Sequence, residues 1–65
     1  MCKLKAINQI KEELSNYGYE IDKTTLNDGI LTVSYYNLSG INKLYVPYRY
    51  MTPERLHNKI VSEVM

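Results

Sequence analysis

Between Lys3 and Tyr17 the apolar positions Leu4, Ile7, Ile10, Leu14 and Tyr17 step by three and four. Side chains at that spacing share one stripe of an α-helix, which leaves Lys3, Lys11, Glu12 and Glu13 to solvent. Gly18 follows the last periodic position, where a left-handed residue ends a helix at little cost. The spacing then changes to alternation. Tyr19 and Ile21 against Glu20 and Asp22 predict a short first strand, and "LNDG" supplies an Asp-Gly turn. "ILTVSYY", residues 30–36, is rich in β-branched and aromatic side chains and predicts the second strand. "NLSGIN" reads as the connection and "KLYVPYRY", residues 43–50, as the third strand. Pro47 has no N–H to give to a ladder, so that strand belongs at an edge or carries a bulge.

The last helix has the clearest signals. Thr52 suits the N-cap, Pro53 the first helical position and Glu54 the positive end of the helix dipole. Met51, just before the cap, can pack on Leu56 as a hydrophobic staple. Leu56, Ile60, Val61 and Val64 form the buried stripe. The whole chain reads as one α+β domain, residues 1–65, of order α-β-β-β-α. The economical packing is an antiparallel sheet with both helices on one face.

That packing divides the strands. Leu31, Val33 and Tyr35 of the second strand and Leu44, Val46, Tyr48 and Tyr50 of the third fall on the helix-covered side. Thr32, Ser34, Tyr36, Lys43, Tyr45 and Arg49 fall on the uncovered one. A bare face with tyrosines and an arginine has the make-up of an interface anchor. Cross-strand tyrosines also stabilise a sheet by themselves, and a slip of one residue in register would exchange the two sets. As a binding surface, the face offers Tyr36, Lys43, Tyr45 and Arg49.

Composition narrows the functional classes. A chain of 65 residues buries only about 60% of the surface its unfolded form exposes, so its core is small. Cys2 is the single cysteine, which rules out an internal disulfide and points to a reducing, cytoplasmic compartment. No apolar run approaches the roughly 20 residues that span a bilayer, and no signal-peptide core follows Met1. The net charge of +1 lacks the positive excess of strong nucleic-acid binders. Asn, Ile, Lys and Tyr supply 25 of the 65 residues; all have A/T-rich codons, which points to a low-GC Gram-positive bacterium or one of its phages.

Catalytic parts are scarce. One Cys and one His far apart do not make a metal site, and no metal or other cofactor is expected. The three glycines sit at turns, not in a phosphate-binding loop. His57 beside Leu56 reads as a solvated or rim residue and lacks a nucleophile to serve. The chain is therefore expected not to be an enzyme. Arg55 and Lys59 share a face of the last helix, and Lys3 and Lys11 lie on the first; these four are the candidate nucleic-acid contacts.

The order helix, three strands, helix resembles that of the double-stranded-RNA-binding domain and of the similar HicA-type toxin fold. The first resemblance implies RNA contact at the start of the last helix. That position here reads "TPERLHNK", with Arg55 and Lys59 basic and Glu54 opposing them. In the toxins a strand histidine cleaves RNA, whereas His57 lies on the last helix. A compact AT-codon-rich chain is also similar in type to the small accessory and inhibitor proteins of Gram-positive phages and mobile elements, anti-CRISPR proteins among them. The expected function is thus a non-enzymatic protein that binds and modulates a bacterial host protein, such as a CRISPR effector nuclease. The alternatives are a nucleic-acid-binding regulator and a self-associating domain, for instance a homodimer closed over the tyrosine face.

Overall fold

The computed structural model describes residues 2–64. Its elements run α1 (Lys3–Asn16), β1 (Glu20–Asn27), β2 (Ile30–Asn37), β3 (Gly40–Val46), a 3-10 turn (Tyr48–Tyr50) and α2 (Pro53–Val64). The three strands form one antiparallel sheet in the order β1-β2-β3. The α+β architecture expected from the sequence is the one observed.

Each helix ends as local chemistry dictates. Gly18, at φ +83°, closes α1: its N–H bonds Ser15 O at 3.0 Å, and the N–H of Tyr19 bonds Leu14 O at 2.9 Å. This is a Schellman motif, and it places Tyr19 against the core beside Leu14. At the start of α2 the Thr52 hydroxyl accepts the N–H of Arg55 at 3.2 Å, and the Thr52 carbonyl accepts that of Leu56 at 2.9 Å. Thr52 is therefore the N-cap and Pro53 the first helical residue. Met51 is half-buried against the core. Asp28 and Gly29, at φ 53° and 76°, make the tight turn between β1 and β2 that two consecutive left-handed residues allow.

One face of the sheet is covered. Leu31, Val33 and Tyr35 of β2 and Leu44 and Val46 of β3 join Ala6, Ile10 and Leu14 of α1 and Leu56 and Ile60 of α2 in a single buried cluster. Both helices therefore pack on the same side. A polar seam ties them together: Gln9 Nε2 donates to Pro53 O at 2.6 Å and to Glu13 Oε2 at 3.1 Å. His57 Nδ1 meets Glu13 Oε1 in the same seam. The molecule is only 16 Å across in its shortest Cα dimension, room for one helical layer on one sheet. No helix among the described residues is long and apolar enough to cross a membrane.

Several boundaries differ from the sequence reading. β1 runs from Glu20 to Asn27, and a bulge at Asp22 shifts its register: Ile21 faces Tyr35 and Lys23 faces Ser34. β3 begins at Gly40 and stops at Val46. The connection before it shrinks to Leu38–Ser39, because the Asn37 side chain accepts the Ser39 N–H at 2.8 Å and tightens the turn. Beyond Pro47 the chain coils, so alternation no longer applies: Tyr48 is buried, and Tyr50 is 81% exposed and no part of the core. Leu4 and Tyr17 are also exposed. Leu4 lies a third of a turn round from the Ala6–Ile10–Leu14 row, and Tyr17 is already the C-cap.

Candidate functional site

The face of the sheet opposite the helices carries exposed apolar side chains that the core does not use. Register assigns its members. Across the strands it reads Glu20–Tyr36–Ile41 in one row, Lys23–Ser34–Lys43 in the next, and Thr25–Thr32–Tyr45 in the third. Ile30 follows on the same side of β2, paired with Asn27. Four large apolar side chains stand exposed here: Ile30 (43%), Tyr36 (44%), Ile41 (57%) and Tyr45 (55%). On a folded surface, such residues singly are ordinary; gathered on one uncovered sheet face they make a patch.

The polar members are arranged around that patch. The bulge frees Asp22 from the ladder and turns it to the open face, where the Tyr36 hydroxyl donates to Asp22 Oδ1 at 3.0 Å. That bond, with the charge of Asp22, holds the Tyr36 hydroxyl above its ordinary pKa. Ser34, at the middle of the central row, is only 5% exposed although no helix covers it. Lys23 and Lys43 flank it on both sides, with stems long enough to lie over it while their charges stay in water. A shallow groove of about 470 Å³ continues from the Tyr36 end, walled by Tyr17, Tyr36 and Leu38.

Of the residues that sequence reasoning proposed for binding, Tyr36, Lys43 and Tyr45 lie together on this face. Arg49 does not sit on a strand. It belongs to the 3-10 turn, with its guanidinium 6.0 Å from the Tyr48 ring centroid and its side chain beside Gly29 at the β1–β2 turn. The neighbouring Tyr48 holds the Arg49 pKa above its ordinary value. Ile30, Ile41 and Lys23 complete the face and were not among the expected binding residues. The Asx turn at Asn37 was the available signal for Ile41; for Lys23 the bulge concealed its side.

The four basic residues expected to contact nucleic acid, Lys3, Lys11, Arg55 and Lys59, do not converge. Gln9 and Glu13 turn toward α2, and Lys11, two residues from each, lies nearly on the opposite side of the helix. It lines a separate hollow with Tyr19 and Ile21 on the β1 side. Arg55 and Lys59 stand in the same relation to His57, which faces α1. They occupy the far flank of α2, and Lys3 opens α1 two turns before Lys11. No three His, Cys, Asp or Glu side chains among the described residues are placed to hold a metal ion. Cys2 is exposed at the N-cap of α1, and the N–H of Lys5 draws its pKa down.

The chain matches no protein-family model, no curated protein and no solved structure.

Proposed function

We propose that the protein is a non-enzymatic binding module whose open sheet face docks on another protein and modulates it. The observation that carries this reading is the concentration of Ile30, Tyr36, Ile41 and Tyr45 on the one sheet face that no helix covers. Rigid aromatic rings lose little conformational freedom on binding, and Tyr36 is already clamped by Asp22. The lysine pair and the acidic Glu20 and Asp22 give the patch a polar frame that fixes orientation. With an A/T-rich codon signature, the partner class is a bacterial protein, and an inhibitor or modulator from a phage or mobile element is the setting that fits.

The test is capture of partners by the immobilised protein from nuclease-treated lysate of a low-GC Gram-positive bacterium. A protein retained near stoichiometry should be lost with Tyr36→Ala/Tyr45→Ala and kept with Arg55→Ala/Lys59→Ala. Retention by the tyrosine variant, with loss by the basic one, would overturn the reading in favour of the helical flank.

A further inference from the structure

The open face ends at β3, and the backbone of that strand is itself unfinished. Among the described residues β3 pairs only with β2. Asn37 and Gly40 close a two-residue turn as a paired couple, so they exchange backbone hydrogen bonds. Alternation then turns the backbone groups of Gly40, Asn42, Leu44 and Val46 toward β2, and those of Ile41, Lys43 and Tyr45 outward. The same three residues present their side chains on the open face, all exposed. Three N–H groups, three carbonyls and an apolar–basic–apolar row of side chains thus share one edge.

The other edge is guarded. β1 carries the bulge at Asp22 and the charges of Glu20, Asp22 and Lys23, devices that discourage strand addition. β3 is paired without irregularity from Gly40 to Val46 and has one charge, Lys43. A second copy is a poor occupant. Two-fold antiparallel pairing that used all three outward residues would set Lys43 directly opposite its own counterpart, and like charges so placed repel. Lys23 stands in the same cross-strand row and adds to the positive potential. An acidic residue at that position would be attracted.

We propose that β3 accepts an extended segment of a partner protein as a fourth strand, with an acidic side chain opposite Lys43 and apolar ones opposite Ile41 and Tyr45. This inference rests on the open face being a binding surface and specifies how the partner engages it. Main-chain bonds supply affinity and the alternate side chains supply specificity, as in other strand additions. The added strand also widens a face that is narrow on its own. Three strands about 4.8 Å apart and about seven residues long at about 3.3 Å each cover roughly 14 Å by 23 Å.

The test selects binders from a displayed random twelve-residue peptide library on the immobilised protein. Enriched peptides should carry Asp or Glu with aliphatic or aromatic residues two positions to either side. Binding should fall by about tenfold with Lys43→Glu, and that variant should instead select Lys or Arg at the central position. In the bound state the amides of Ile41, Lys43 and Tyr45 should exchange with solvent more slowly. Peptides without the acidic residue, peptides that leave those amides unprotected, or no enrichment at all would overturn strand addition. So would protection of the three amides by concentrated protein alone, which would make a second copy the occupant. Loss of captured partner with Tyr36→Ala/Tyr45→Ala, combined with unprotected β3 amides, would leave the binding face standing and remove only the added strand.

Discussion

Tyrosine has three different tasks in this chain, and position alone assigns them. Tyr35 is core: its ring lies 5.9 Å from that of Tyr19 and it is almost wholly buried. Tyr36, its neighbour in sequence, points the other way and is held by Asp22. Tyr50 projects into solvent with no part in the sheet. Burial, and then the negative charge of Glu63, raise the Tyr35 hydroxyl above its ordinary value of 10.0. A group whose folded pKa is raised binds its proton more tightly in the folded state. The stability it contributes is complete below the unfolded tyrosine pKa and is lost as pH rises through the folded one. Unfolding by urea should therefore show a loss of stability that sets in above pH 10, shallower in Tyr35→Phe. The loss should not vanish, because Tyr36 is shifted in the same direction. An equally steep loss in the variant would contradict the burial assigned to Tyr35.

At the scale of elements, α2 depends on its first residue. Thr52 satisfies a backbone donor that the helix leaves orphaned, so Thr52→Ala should cost about 1 kcal/mol. In a domain of this size that lowers Tm by about 4–8 °C, and Thr52→Ser should restore most of it. A thermal unfolding series measures both. This cap was legible in the sequence because Thr-Pro-Glu carries three independent helix-start signals. The helical stripe was legible only at its centre: Ile10 and Leu14 are buried, while Ala6 replaces Leu4 on the inner row. Strand β1 was hidden past Asp22. Its core-side residues Ile21, Thr24 and Leu26 step by three and then two, so the bulge broke the alternation on which recognition depends. β3 was set too late in the chain because Pro47 permits an edge strand, and nothing local shows that the backbone coils immediately after it. The split of β2 into inner and outer residues was readable in full, since its alternation is unbroken. Tyr36, Lys43 and Tyr45 were placed on the open side for the same reason. Arg49 was misplaced because strand alternation was carried beyond Pro47.

For the molecule as a whole, the notable feature is the allocation of a limited apolar supply. A chain this small has few large side chains to spare, yet it leaves two isoleucines and two tyrosines on the open face of its sheet. Both helices are committed to the other side, joined by the Gln9–Pro53 and His57–Glu13 contacts. Exposed apolar surface of this kind gains free energy when a partner covers it. The four candidate nucleic-acid contacts, Lys3, Lys11, Arg55 and Lys59, are by contrast spread over opposite flanks of the helix pair. The most direct measurement is a tyrosine-modification footprint of the protein, free and in complex with its captured partner. Tyr36 and Tyr45 should be reactive in the free protein and shielded in the complex, while Tyr50 stays reactive in both. Shielding of Tyr50, with Tyr36 and Tyr45 still open to reagent, would place the partner elsewhere and contradict the open face as the binding surface.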